Sequence, residues 1–288
     1  MKTANKLLTV LAVFLILLLM TGLGMFKHER SSGTSGIRLG GVESRMPENS
    51  AMVFFGSTLG QQLLNYKAYK NIDETLYALR SGEVNAIWAC DVTADFLLKM
   101  NTDLKRIEPD TMADIQKTEA PRFSFGMAIK DTESGEKLKE EIDGAIFDMK
   151  ADGTLDELVR VLIENADAQE ILPEKAKYYQ ESMKNNSGRD TVHVGVTGVV
   201  QPVELIDDSG EPYGFCVAMM DEIGSRIGKK IKFEVLDNET AFTSLMSGRV
   251  DIIFCYGTGM KTTESTQKYI MTDSYLDMQR YEFLALKD

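Results

Sequence analysis

The sequence predicts an α/β protein made of two similar lobes, and two observations lead to this prediction. The phrase Leu-Arg-Ser-Gly-Glu-Val-Asn-Ala-Ile at residues 79–87 recurs as Leu-Met-Ser-Gly-Arg-Val-Asp-Ile-Ile at residues 245–253. Each copy follows an apolar-periodic stretch and runs into a short apolar segment that ends near a cysteine, Cys90 or Cys255. Strands that alternate with helices over short connections favour parallel sheets.

The repeated phrase is typical of a helix that stops at a glycine and leads into a buried strand. Gly82 and Gly248 stand where a left-handed residue ends a helix, a conformation that glycine adopts without a Cβ penalty. The Val, Ile, Phe and Trp residues that follow suit a strand covered on both faces. A protein of two such lobes commonly binds its ligand in the cleft between them.

The composition excludes several classes of function. With 32 basic and 44 acidic residues among 288, the net charge is −12, and no basic stripe is visible that would neutralise nucleic-acid phosphates. The three cysteines, Cys90, Cys216 and Cys255, lie in apolar surroundings and are expected to be buried thiols without a disulfide framework. Two histidines and no Cys-x-x-Cys spacing predict no metal site, and no cofactor is expected.

The N-terminal segment predicts a membrane anchor. Residues 7–26 carry no charge, and about 20 apolar residues suffice to cross a bilayer. Lys2 and Lys6 precede the run, so the positive-inside rule places the bulk of a single-pass protein outside the cytoplasm. Residues 1–26 are therefore interpreted as a signal anchor or transmembrane helix, with cleavage after Gly24 and secretion as the alternative. Residues 27–50 are expected to form a juxtamembrane linker.

The first predicted α/β unit spans residues 51–165. It is expected to open with a strand at 51–55 and a turn into a helix, with Ser57 or Thr58 near the N-cap. A helix at 72–80, a strand at 84–89, a helix at 92–100 and a strand at 123–129 follow. The amphipathic region 136–165 predicts a long helix that breaks around Gly153.

A polar stretch at residues 166–190 is the predicted linker to a second α/β unit at 191–288. This unit is expected to contain strands at 193–196 and 231–236 and a helix at 216–227. The second copy of the repeated phrase comes next, and a strand at 281–286 closes the chain.

Three motifs of the second unit form a specific series: Val-Gly-Val-Thr-Gly at 194–198, Gly-Glu-Pro-Tyr-Gly-Phe at 210–215 and Tyr-Ile-Met-Thr-Asp-Ser-Tyr at 269–275. The series resembles the first lobe of the extracellular solute-binding proteins of family 3, the polar amino-acid binding proteins of ABC importers. The earlier unit resembles the other lobe, with Gly-Ser-Thr at 56–58 for its Gly-Thr-Thr turn and residues 125–130 for its returning hinge strand. The resemblance implies a two-lobed periplasmic-binding-protein-like fold of type 2.

The two lobes occur in reversed order. In the family the lobe that opens with Val-Gly-Val-Thr-Gly comes first, whereas here it comes last. The chain is interpreted as a circular permutant in which residues 166–190 join the original ends, since a linker of this length spans tens of ångströms at up to ~3.3 Å per residue. The alternative is a remnant of a tandem array, with the back half of one binding domain and the front half of the next.

The positions that hold an amino acid in the family are changed in this sequence. The arginine for the ligand carboxylate is matched by Ser265, and the acid for the ligand ammonium by Cys90, with Asp91 one place on. The Asp after Gly-Phe is matched by Cys216 and the stacking aromatic residue by Val203. The remaining candidates for ligand binding are Ser57, Thr58, Asp91, Tyr256, Gly257 and Thr258.

Some of these candidates also have a plain structural interpretation. Ser57 and Thr58 would hold an anionic group at a helix N-terminus, or simply cap that helix. Asp91 would bind the solute, or cap the next helix in solvent. Lys261 and Arg280 would replace the lost cation, although surface charge is the simpler interpretation of both.

Two hypotheses for the function follow, from different classes. The first is a membrane-tethered, extracytoplasmic binding protein for a small polar, amino-acid-like solute, which serves an ABC permease or a signalling partner in the membrane. The alternative is a degenerate binding fold that acts as a scaffold or interaction domain without a ligand. No catalytic residues are predicted, because His28 lies in the linker and His193 in a strand, and no nucleophile motif is present. The chain is therefore not expected to be an enzyme.

Overall fold

The structure is a computed structural model that describes residues 36–42, 48–108, 123–165, 190–257, 269–278 and 280–288. The predicted anchor at residues 1–26 lies outside them. Within the described part of the chain, no helix combines the length and apolar character needed to span a membrane.

The first half of the chain alternates strands with helices. Its strands are β1 (Ile37–Val42), β2 (Leu63–Tyr69), β3 (Ala86–Cys90), β4 (Leu104–Ile107) and β5 (Phe123–Lys130). Its helices are α1 (Glu48–Leu59), α2 (Ile72–Ser81), α3 (Asp91–Met100), α4 (Glu133–Ala151) and α5 (Thr154–Val159). A short 3-10 turn at Gly60–Gln62 follows α1, and a π-helical turn at Arg160–Glu164 follows α5.

The second half is richer in strands. These are β6 (Thr191–Val196), β7 (Leu205–Ile206), β8 (Pro212–Tyr213), β9 (Lys230–Val235), β10 (Ile252–Gly257), β11 (Tyr269–Met271), β12 (Leu276–Met278) and β13 (Tyr281–Leu286). Two helices, α6 (Phe215–Ile227) and α7 (Asn238–Ser247), pack with them. The helices predicted at 72–80, 92–100 and 216–227 and the strands predicted at 193–196, 231–236 and 281–286 are confirmed to within a few residues.

Local sequence signals explain several helix ends. The Asn71 side chain accepts a hydrogen bond of 2.9 Å from the backbone N–H of Glu74 and caps α2. Thr132 caps α4 in the same way through Gly135, at 3.1 Å. Gly153, at a φ of 82°, separates α4 from α5, which confirms the break predicted around this residue.

Sheet A has the strand order β2-β1-β3-β13-β4. Strands β2, β1 and β3 are parallel, whereas β13 lies antiparallel between β3 and β4. Alternate side chains point to opposite faces: Trp88 and Phe283 pack in a cluster with α1, and Ile87 and Leu284 pack in a cluster with α2 and α3. Sheet A with these three helices is called lobe A.

Sheet B has the order β11-β5-β10-β6-β9, and β12 also pairs with β5. Strands β10, β6 and β9 are parallel, whereas β5 lies antiparallel between β10 and β11. Strands β7 and β8 form a separate antiparallel hairpin, and the loop before it packs in the main apolar cluster of sheet B. Sheet B with α4 to α7, this hairpin and the loop before it is called lobe B. The two sheets thus share one pattern, in which three parallel strands are followed by an antiparallel strand that the chain brings from its other half. The chain passes between the sheets from β4 to β5 and again from β12 to β13.

The start of lobe A differs from the prediction. Residues 51–55 were expected to be a strand, but they lie inside helix α1. Ala51, Phe55 and Leu59 are buried at intervals of four residues, which is the spacing of one helix face, and all three pack against sheet A. The predicted linker at 27–50 is also wrong in part, because it contains strand β1 and the first turn of α1.

The boundaries of the two predicted units differ from the lobes as well. Strand β5 with helices α4 and α5 was assigned to the 51–165 unit, but these elements build lobe B. Strand β13 was assigned to the 191–288 unit, but it pairs inside sheet A. Strand partners depend on hydrogen bonds between distant parts of the chain, which local periodicity does not report. Most of the predicted linker, residues 166–189, lies outside the described residues.

Candidate functional site

The parallel strands of both sheets end where the connecting loops of the two lobes meet. In sheet A, β1 ends at Val42 and β3 at Cys90, and in sheet B, β6 ends at Val196 and β10 at Gly257. In open α/β sheets, ligands bind outside the carboxyl ends of the strands. These edges are therefore the part of the molecule where a solute site is expected.

Ser57 and Thr58 do not occupy a helix N-terminus. Both residues belong to the last turn of α1, which ends at Leu59. The last turn of a helix presents carbonyl groups and carries the negative end of the helix dipole, so it repels an anion. The interpretation of these two residues as an anion site is wrong, because it depended on the incorrect strand at 51–55.

Asp91 is the first residue of α3 and follows the last residue of β3 directly. Its carboxylate accepts a hydrogen bond of 2.9 Å from the backbone N–H of Val92, and its own N–H donates to the carbonyl of Arg280 at 3.1 Å. The side chain is half-buried. An acid in the first turn stabilises a helix, so Asp91 has a structural role at the strand edge whether or not it binds a solute.

The other predicted positions lie on or beyond the end of β10. Tyr256 pairs with Gly126 of β5, and Gly257 pairs with Phe125. Thr258, Lys261 and Ser265 lie outside the described residues. The structure therefore brings the backbone of Tyr256 and Gly257 to the carboxyl edge of sheet B.

Arg280 is engaged within lobe A. Its Nε donates to Oε1 of Glu282 at 2.7 Å, and the Glu282 side chain is only 6% exposed. Arg106 binds the other oxygen of the same carboxylate. Two guanidinium groups thus balance one buried acid, which explains Arg280 as part of an ion-pair network.

The loop between β6 and β7 holds a buried polar group that sequence reasoning missed. Glu204 is 1% exposed, and its Oε2 accepts a hydrogen bond of 3.0 Å from the hydroxyl of Thr197. Cys216 is fully buried, and this burial, together with the negative charge of Glu204, raises the pKa of its thiol. Cys216 is therefore a neutral thiol. The signal for Glu204 was present, since it stands between Val203 and Leu205 in an apolar run.

Apolar side chains connect the two lobes at these edges. Val199, from the loop after β6, packs in the cluster that covers the α2 and α3 face of sheet A. Phe96 of α3 packs with Leu205 and Tyr213 of lobe B. Cys90, at the end of β3, belongs to the main apolar cluster of lobe B. The junction between the lobes is thus largely hydrophobic.

Polar contacts between the lobes lie at the margin of this junction. Lys70, which follows β2, and Asp237, which precedes α7, form an ion pair of 3.3 Å, with both side chains more than half exposed. Lys99 donates to the backbone carbonyl of Glu164. Exposed pairs of this kind contribute little to stability, so apolar packing dominates the contact.

Two cavities lie in the part of the chain that the structure describes. One of about 510 Å³ lies between α5 and the segment before β13, and one of about 380 Å³ lies at the amino ends of β6 and β10. None of the predicted site residues is among the residues that line these two cavities. Over the same described ranges, no group of three or more Cys, His, Asp or Glu side chains is placed to hold a metal ion.

Comparison with known families assigns the final third of the chain. Residues 192–288 match the bacterial extracellular solute-binding proteins, family 3. The match confirms the family recognised in the sequence over this segment. The family is described as one of solute binders, in agreement with the expectation that the chain is not an enzyme. No curated protein sequence matches the chain.

Several solved structures are similar to this chain. The unliganded L-cystine solute receptor of Neisseria gonorrhoeae is 23% identical, with a TM-score of 0.21, over 25% of this chain and 31% of the receptor. The chain thus spans about a third of the length of that receptor. An ancestral arginine-binding protein bound to arginine is 13% identical, with a TM-score of 0.41, over 88% of this chain and 85% of that protein.

A third similar structure is a probable amino-acid ABC transporter binding protein of Bacillus subtilis. It is 11% identical, with a TM-score of 0.41, over 88% of this chain and 84% of that protein.

Proposed function

We propose that this chain is an extracytoplasmic solute-binding protein whose two lobes close around a small polar, amino-acid-like solute. The single observation that carries this proposal is the match of residues 192–288 to the family of extracellular solute-binding proteins. The shared strand pattern of sheets A and B supports it, because both sheets direct the carboxyl ends of their parallel strands to the junction.

The chain is proposed to be a circular permutant of that family. The segment that resembles the first lobe comes last in the sequence, and it is this segment that the family model matches. Strand β5 enters sheet B from the first half, and β13 enters sheet A from the second half. Two connections between the lobes are what a hinged clamp needs, whereas separate halves of two tandem domains would not require them.

The proposed site consists of Asp91, Tyr256, Gly257 and Thr258. Asp91 offers an acid for an ammonium group at the edge of sheet A. Ser265 replaces the arginine of the family, so the proposed solute has a weaker negative charge than a free amino acid, or binds its carboxylate through hydrogen bonds. The apolar segment 7–26 is proposed to tether the protein to the membrane beside an ABC permease or a signalling partner.

A second function is favoured by the hydrophobic junction. Val199, Phe96 and Cys90 are all at most 9% exposed and connect the lobes without a solute. A binding fold whose cleft is filled in this way would act as a scaffold or interaction domain. In this alternative the protein retains the binding fold but binds no solute.

A thermal-shift and calorimetry screen of the full chain in detergent separates the two functions. The panel contains amino acids, short peptides and organic anions. A solute at 100 times its Kd should stabilise the protein by about 2.7 kcal/mol. Asp91→Asn should weaken binding of an ammonium solute, whereas Asp73→Asn, in the exposed first turn of α2, is the matched control and should bind normally. A flat response of the unaltered chain across the panel would exclude the transport function and leave the scaffold.

A further inference from the structure

Val199 lies in lobe B by sequence but is buried in lobe A. It belongs to the loop between β6 and β7 and is 6% exposed. The cluster around it consists otherwise of lobe A residues: Val42, Ile72, Leu76, Ala78, Leu79, Val84, Ile87, Ala89, Ala94, Leu97, Leu104 and Leu284. One side chain of lobe B thus completes the hydrophobic core of lobe A.

The cluster reaches the edge of sheet A where a ligand is expected. Val42 is the last residue of β1, Ile72 is the first residue of α2, and Ala94 lies in the first turn of α3. These positions surround the carboxyl ends of the parallel strands, which is where open α/β sheets bind ligands. Val199 joins this cluster from the loop that follows the carboxyl end of β6, three residues after Val196.

The loop that carries Val199 is held firmly by its own lobe. Val200 and Val203 are 3% and 0% exposed, and both pack in the main cluster of lobe B. The backbone N–H of Glu204 donates to the carbonyl of Val200 at 2.8 Å, and the Glu204 carboxylate binds the Thr197 hydroxyl. Lobe B therefore presents Val199 from a fixed loop, so lobe opening has to withdraw this side chain.

We propose that Val199 is a built-in plug: it fills the solute edge of lobe A and holds the two lobes together when no solute is bound. A solute would have to displace this side chain, so the plug lowers the affinity of the site. The statement about affinity rests on the proposed binding function. The statement about lobe closure does not, since it follows from the packing alone.

The test measures the separation of the lobes in the full chain. Spin labels are attached at Tyr77→Cys on α2 and Phe147→Cys on α4, where the native side chains are 75% and 69% exposed. Their distance distribution is measured by double electron–electron resonance without solute. Val199→Ala removes two methyl groups from the contact and should raise the population of the open state about tenfold. Val199→Thr keeps the shape of the side chain but buries a hydroxyl group, so it should also raise the population of the open state.

Val192→Ala is the matched control, because it removes the same atoms from a buried valine of β6 that packs in the main cluster of lobe B and lies outside the loop that carries Val199. It should leave the distance distribution unchanged. Equal distributions for the parent and both Val199 variants would overturn the plug. An open Val199→Ala variant that binds a solute of the panel more tightly than the parent would support the plug and the binding function together. An open variant that binds nothing would support the plug and contradict the binding function.

Discussion

The helix-to-strand step that occurs twice in the sequence forms the same structure in lobe A and lobe B. Helix α2 ends at Gly82 with a φ of 77°, and helix α7 ends at Gly248 with a φ of 79°. The N–H of Gly82 donates to Leu79 at 3.2 Å, and the N–H of Gly248 donates to Leu245 at 3.1 Å. In both copies, a left-handed glycine therefore ends the helix ahead of the strand.

The two copies of the step also contact the neighbouring strand of their sheet in the same way. The N–H of Asn85 donates to the carbonyl of Arg38 at 3.0 Å, and the Asn85 side chain accepts from the Arg38 N–H at 2.8 Å. Asp251 and His193 form the same two bonds in lobe B, both at 2.8 Å. An amide in one lobe and a carboxylate in the other thus connect the step to β1 and β6.

The charges around the step differ between the lobes. Lys67 of β2 pairs with Glu83 in lobe A, whereas Glu234 of β9 pairs with Arg249 at 3.0 Å in lobe B. The same two positions carry an ion pair with its signs exchanged. The two lobes therefore share the backbone geometry of the step, whereas its surface charges are exchangeable as long as they remain complementary.

The largest expected effect concerns the buried leucines of the step. Leu79 and Leu245 are 2% and 0% exposed, so Leu79→Ala and Leu245→Ala should each lower the free energy of unfolding by about 2–5 kcal/mol. Urea unfolding of the full chain checks the size, and segment-resolved hydrogen exchange assigns it to a lobe. Arg80→Ala, at a half-exposed neighbour, should cost much less. If one leucine variant lost much more free energy of unfolding than the other, the two copies of the step would not be equivalent in stability.

A smaller effect is expected at the glycines. Gly82→Ala and Gly248→Ala should each cost about 1–2 kcal/mol, because both positions are left-handed. No atom within 4 Å would touch the added methyl group at either position, so the cost comes from the backbone alone. Gly144→Ala inside α4 also meets open space, but it should stabilise the protein because the helical backbone suits alanine. Thermal unfolding of the three variants measures the contrast.

The smallest effect concerns the exchanged ion pair. Arg249→Glu should cost about 0.2–1 kcal/mol, and adding Glu234→Lys should recover most of it, as in lobe A. Burial raises the pKa of Glu234, but hydrogen bonds from Arg249 and His193 outweigh it, and the net pKa lies below the ordinary value of 4.5. The stabilisation by Glu234 is therefore present above pH 4.5 and is lost as the pH falls through the lowered pKa.

A double-mutant cycle at pH 7 and again at pH 3 measures this coupling. The coupling free energy should shrink at the lower pH as Glu234 becomes protonated. An unchanged coupling would contradict the assignment of the ion pair.

The sequence predicted the step and most helices because their signals are local. Periodicity and a terminal glycine located α2 and α7 in both lobes. Strand β1 was missed, although Arg-Leu-Gly at 38–40 resembles His-Val-Gly at 193–195 in residue type. The glycines of this stretch resembled a linker. The four-residue spacing of Ala51, Phe55 and Leu59 indicates a helix, but the continuous apolar run at 51–55 also suits a strand.

The candidate site was less predictable. Asp91 was placed correctly after its strand, but its position in the first turn of α3 and its bond to Val92 became visible only in the structure. The anion site at Ser57 and Thr58 failed with the strand on which it depended. Glu204 was overlooked although it interrupts an apolar run. Val199 was not chosen, because it becomes notable only through its partners in the folded chain.

The sequence by itself determined the two α/β lobes, the repeated step and the family of the last third, since these depend on residue order over short distances. Only the tertiary structure decided that β13 completes sheet A, that β5 completes sheet B, and that Val199 packs in the other lobe. These choices depend on hydrogen bonds and apolar contacts between residues far apart in the chain. These hydrogen bonds and contacts stabilise the protein only once both lobes are assembled.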